Sequence, residues 1–95
     1  MYWTWDETKN RINQRKHKMP FEIAVRVFDD PFAISRSDVY PHEERWQTMG
    51  MIGNRLVLVV HTAPIYTVTG EIIGRIISAR KPTRYEKRAY EEGEF

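Results

Sequence analysis

There is no cysteine in these 95 residues. That one absence excludes a disulfide scaffold, a thiolate metal site and a cysteine nucleophile. Histidine is scarce too, with only His17, His42 and His61. No two of them have the H-x-x-x-H spacing, so no zinc site is expected. Neither G-x-x-x-x-G-K nor G-x-G-x-x-G occurs, so no nucleotide cofactor is expected either. The longest apolar run, Leu56 to Val60, is far too short to span a bilayer. The chain turns polar and charged after Trp5, and no export signal is expected. The default expectation is a soluble cytoplasmic domain with no cofactor and no membrane partner.

What is present is an ordinary apolar share, 41%, in a chain sized for a single domain over residues 1–95 with one modest core. The net charge of +2 says little, but its distribution says more. Five basic residues lie between Lys9 and Lys18, and six between Arg75 and Arg88. Residues 19 to 74 hold four basic and seven acidic residues. Cationic ends of this kind suit a polyanion such as RNA, although solvated helix faces produce the same pattern.

The patterning predicts an α+β fold. Thr4 and Glu7 have capping-box spacing, and a first helix is expected from there to His17. Phe21, Ala24, Val25 and Phe28 recur at helical spacing and predict a second helix, stopped by Asp29-Asp30-Pro31. Phe32 to Arg36, Arg45 to Met51, Arg55 to Thr62 and Ile72 to Ala79 read as strands. The third is the clearest, because Leu56 to Val60 is apolar on both faces. Ala63 to Gly70 reads as a long connection. Thr83 and Glu86 repeat the capping box ahead of a third helix ending near Glu92. The expected order is two N-terminal helices, a four-stranded antiparallel meander and a C-terminal helix.

Four groups of residues could carry chemistry. Helix one presents Lys9 and Lys16, and an adjacent polar stripe of Asp6, Asn10, Asn13 and His17. A histidine can move protons near neutral pH. Glu44 and Arg45 open a strand, although neighbouring strand residues point to opposite faces. Arg75 belongs to the last strand, and Arg80, Lys81 and Arg84 lie between its end and the start of the third helix. Guanidinium groups there make a good phosphate site. Arg80 is expected to act as a free surface cation, so its loss should spare stability. His61, on the central strand, reads as a packed or rim residue.

Trp5-Asp6, Lys9, Asn13, Lys16-His17, Phe21-Glu22, Ala24 and Phe28-Asp29-Asp30-Pro31 appear in that order. Glu44-Arg45, Gly50, Leu58-Val59-Val60, Arg75-Ile76-Ile77-Ser78-Ala79-Arg80, Glu86 and Tyr90 follow. Over nearly the whole chain this series resembles the BrnT family of ribonuclease toxins. The resemblance implies a RelE-like fold, metal-independent RNA cleavage and inhibition of translation. It also implies a ribbon-helix-helix antitoxin, BrnA, through which alone the toxin meets operator DNA. Two departures stand out: Lys18 occupies a position where glycine usually follows the histidine, and Pro64 to Gly70 is longer than usual.

RNA cleavage needs an attacking 2′-hydroxyl, charge stabilisation at phosphorus and a protonated leaving oxygen. Arg45, Arg75 and Arg80 are expected to clamp phosphate, helped by Lys9, Lys16, Lys81 and Arg84. His17 is the expected acid or base, and Glu44 a second base. The rival class is a non-catalytic binding module, with a cationic surface but no convergent acid–base pair.

Overall fold

The N-terminus does not begin with a helix. In the computed structural model, which describes all 95 residues, Tyr2–Thr4 form a strand, β1, parallel to residues 73–75. The predicted cap at Thr4 is overridden by packing. The Trp3 ring stacks on Phe28, with centroids 4.1 Å apart, and lies where a Cβ on Gly74 would be only 2.4 Å from it. Helix α1 (Glu7–His17) starts two residues later, capped by Asp6, whose carboxylate accepts from the Lys9 N–H at 2.9 Å.

The rest of the α1 seam is polar. Asn10 and Asn13 are buried, while Ile12 is exposed. Asn10 Oδ1 accepts from the Phe21 N–H at 2.8 Å, and its amide donates to Glu7 and Glu22. Apolar helix–helix contact is thus replaced by fixed amide bonds. Beyond α1, the expected second helix divides into one α turn, α2 (Phe21–Ala24), and a 3-10 turn (Val25–Asp29). Asp30 then accepts from the backbone N–H groups of Phe32 and Met51 and from the Tyr90 hydroxyl.

The strands are β2 (Ile34–Asp38), β3 (Arg45–Ile52), β4 (Arg55–Thr62), β5 (Ile65–Tyr66) and β6 (Ile72–Arg80). Helix α3 (Arg84–Glu92) closes the chain with the predicted Thr83–Glu86 capping box intact. The sheet order is β1-β6-β4-β3-β2, with β5 also paired to β6. β2, β3, β4 and β6 form the expected antiparallel meander. The sheet as a whole is mixed and has six strands, because β1 joins in parallel and β5 lies inside the connection read as a loop. The first meander strand also begins two residues later than expected, since Asp30 holds Phe32 in a turn.

One face of the sheet carries the main core cluster. Met19, Phe21, Ala24 and Val27 pack there against Val57, Val59, Ile76 and Ala79. Gly50 is required on this face, because a Cβ would stand 2.7 Å from the Val27 carbonyl oxygen. His61 is buried on it, bonded to Thr48 at 2.6 Å and edge-on to Trp3 and Phe28. That is the packed role expected for it, and burial lowers its pKa.

Candidate active site: the arginine-lined face of the sheet

Strand register sorts the side chains of the opposite face into rows. Cross-strand partners share a face, and alternate residues repeat it. Asp38, Arg45 and Thr62 form one row. Arg36, Gln47, Val60 and Ser78 form the next, and Ile34, Met49, Leu58 and Arg80 the third. Arg75 joins the first row, its backbone N–H donating to Thr62 Oγ1 at 2.9 Å. Four arginines therefore share the face opposite the main core cluster, where Met49 and Leu58 are themselves buried.

Two carboxylates organise them. Glu43 stands just before β3 and accepts from Arg45 Nε at 2.9 Å and from Arg75 Nη2 at 2.8 and 3.2 Å. The Arg45 hydrogen bond, then the nearby Arg75 charge, hold its pKa below the ordinary carboxylate value. The Arg45 guanidinium also lies 3.7 Å from the centre of the Tyr40 ring, and His42 stands edge-on to that ring at 5.4 Å.

The second carboxylate is Glu86, only 6% exposed. It accepts Arg80 Nη1 and Nη2 at 2.8 and 3.0 Å in a bidentate pair, with Arg36 Nη2 at 3.4 Å. Its pKa falls from 4.5 to about 2, chiefly through the Arg80 hydrogen bond. Glu86 thereby ties α3 to the sheet. Arg36 also bonds Gln47 at 2.9 Å, and Gln47 in turn bonds Asp38 at 2.7 Å.

Residues 5–86 match the family described as ribonuclease toxin, BrnT, of type II toxin-antitoxin system. The chain belongs to the BrnT family. A search for related curated proteins found no match. Membership in the BrnT family implies an RNA substrate and an antitoxin partner. No helix is long and apolar enough to cross a membrane.

Within this BrnT fold the expected site residues do not all converge. Arg45 and Arg75 meet at Glu43. Arg80 is on the same face, but five residues along β6, or about 16 Å. Glu44 is exposed and accepts from the Trp46 indole instead of joining the arginines. Glu43, one residue earlier, takes the place expected for Glu44, because the chain before β3 turns it toward the arginines. His17 lines a separate cavity with Lys81, beyond the far end of β3 from Arg45. Lys9, Lys16 and Arg84 are exposed and take part in no salt bridge.

Arg80 is not a free surface cation. Removing it would strip a buried carboxylate of its bidentate partner, costing about 1–3 kcal/mol. Sequence reasoning also passed over Glu43 and Arg36 as site residues. For Glu43 a signal was available: it lies two residues before Arg45, the spacing of side chains on one side of an extended chain.

Proposed function

We propose that this protein is a metal-independent endoribonuclease that inhibits translation in the cytoplasm until a ribbon-helix-helix antitoxin covers it, and that cleavage occurs at Glu43, Arg45 and Arg75. The observation that carries this reading is the convergence of two guanidinium groups on one carboxylate at the open end of the sheet. Each guanidinium has five N–H donors, and most remain for a phosphate. No group of three or more His, Asp or Glu side chains gathers anywhere as a metal-binding cluster. In this reading charge stabilisation falls to the arginines.

In the proposed reaction the 2′-hydroxyl loses its proton to Glu43 and attacks the adjacent phosphorus. A P–O2′ bond forms as the P–O5′ bond breaks. The departing 5′-oxygen takes a proton from His42, leaving a cyclic phosphate and a 5′-hydroxyl. Arg45 and Arg75 hold the phosphoryl oxygens as negative charge grows on them. A phosphate that draws these arginines off Glu43 also restores the basicity they suppress. Arg80, fixed by Glu86, extends the phosphate track along the face.

The test is RNA cleavage by the pure protein in EDTA. Activity should persist. Arg75→Ala should lower the rate about 10²–10³-fold and Glu43→Gln about 10²–10⁴-fold, with both variants folded. Loss of cleavage on chelation, restored by a divalent ion, would refute the mechanism.

A further inference from the structure

All four salt bridges of the molecule use arginines of the sheet face: Arg36, Arg45, Arg75 and Arg80. A different group of cations has no acidic partner. Arg55, Lys81 and Lys87, together with the His17 imidazole, line a cavity of about 400 Å³ between the end of α1, the β3–β4 hairpin and the start of α3. No carboxylate lines it. Like charges gathered around a concavity without a counter-ion repel one another, and a bound anion relieves that repulsion.

The rest of the lining is not suited to a bare anion. Met51, Leu56 and Pro82 give the cavity an apolar side, and Asn54 adds an amide able both to donate and to accept. Cationic rim, apolar wall and one two-way amide together match a phosphate joined to a flat heterocycle. The volume falls at the lower end of the range for small-ligand sites.

Position relates the cavity to the sheet face. Lys81 directly follows Arg80, and Lys87 directly follows Glu86, so the cavity lies beside the Arg80–Glu86 pair of the face. A single strand of RNA lying along the arginines can turn one unstacked nucleotide into it, the usual way proteins read unpaired RNA.

We propose that this cavity is a nucleotide subsite, holding one unpaired nucleotide of the RNA substrate through Lys81, Lys87 and Arg55 and placing its base against Met51, Leu56 and Pro82. The inference rests on the ribonuclease reading only for the identity of the ligand as substrate. The nucleotide site itself stands or falls by direct binding.

The probe is adenosine 5′-monophosphate, titrated into isotope-labelled wild-type protein and followed by NMR. Saturable shifts are expected at His17, Asn54, Lys81 and Lys87. A Lys81→Gln/Lys87→Gln double variant should bind about tenfold more weakly. Both lysines are exposed, so the variant should remain folded, which its spectrum reports directly. The same substitutions should raise KM for an RNA oligonucleotide about tenfold, the loss appearing in binding more than in turnover. Inorganic phosphate is the control and should bind more weakly than the nucleotide. Shifts confined to Arg45 and Arg75, equal binding of phosphate, or binding of an acidic peptide but not the nucleotide would each overturn the assignment. Nucleotide binding in the cavity without any RNA cleavage would uphold the site and refute the ribonuclease reading instead.

Discussion

Asn13 holds Ala79 by both ends of its amide: Nδ2 donates to the Ala79 carbonyl at 2.8 Å, and Oδ1 accepts from the Ala79 N–H at 3.1 Å. This is how a neighbouring strand would pair with that residue. β1 covers the outer edge of β6 only as far as Arg75, and α1 then continues past it. The Asn13 side chain stands in for the missing strand and satisfies an edge that would otherwise be buried unpaired. Arg80 follows Ala79 directly, so the same contact fixes the start of the phosphate track.

Asn13→Ala should therefore destabilise the protein by roughly 2–4 kcal/mol, since it orphans both backbone groups of Ala79 and the Met19 carbonyl. Asn13→Asp should be at least as costly, because a carboxylate can accept from Ala79 but not donate to it. Urea unfolding midpoints with unchanged m-values measure both. A loss below about 0.5 kcal/mol, the range of an ordinary surface substitution, would show that the amide is dispensable.

Lys18 has φ 59° and ψ 27°, the left-handed conformation, and its N–H caps α1 on the Gln14 carbonyl at 2.8 Å. Only glycine adopts this geometry without a Cβ penalty, which accounts for the glycine that the family resemblance led one to expect there. Lys18→Gly should raise stability by about 1 kcal/mol, partly offset by the greater freedom of an unfolded glycine. A thermal melt reads this as a few degrees upward. A fall in Tm would mean that the lysine side chain contributes more than the strain costs.

Glu86 makes stability depend on acid. Its folded pKa, about 2, lies below the ordinary 4.5, so folding favours the ionised form. The resulting stability is complete above about pH 5 and is lost as pH falls from there toward 2. Glu86→Gln should be less stable at neutral pH and should decline less steeply through that window. Asp30 and Glu43, also depressed, retain part of the slope in both proteins. Parallel stability curves for wild type and variant between pH 5 and 2 would rule out Glu86 as the main acid-sensitive contact.

The α3 cap and the extent of β4 were legible in sequence because each depends on local information: a four-residue capping spacing and an unbroken apolar run. β1 was hidden because its partner lies about 70 residues away and its own three residues carry no pattern. Asn10 and Asn13 fit the solvated stripe of an amphipathic helix, and only tertiary contact reveals them as the buried seam. The arginines themselves were visible as candidates. Their division between Glu43 and Glu86, and the separation of His17 from Arg45, depend on strand register, which a single sequence does not display.

The arginine face also predicts how inhibition works. Arg36, Arg45, Arg75 and Arg80 share it, with Arg45 and Arg75 at its open end. An antitoxin that silences the protein should lay an acidic or apolar segment across this surface, competing with Glu43 and Glu86 for the guanidinium groups. Such an interface should bury about 1,600 Å² or more and exclude RNA. Competition is measurable with labelled RNA and the inactive Glu43→Gln variant, which preserves the shape of the face while preventing cleavage. Antitoxin should displace the RNA completely, and Arg45→Ala should weaken both ligands. If antitoxin and RNA bind the variant together without weakening each other, inhibition does not act by occlusion, and the antitoxin must seat on another surface.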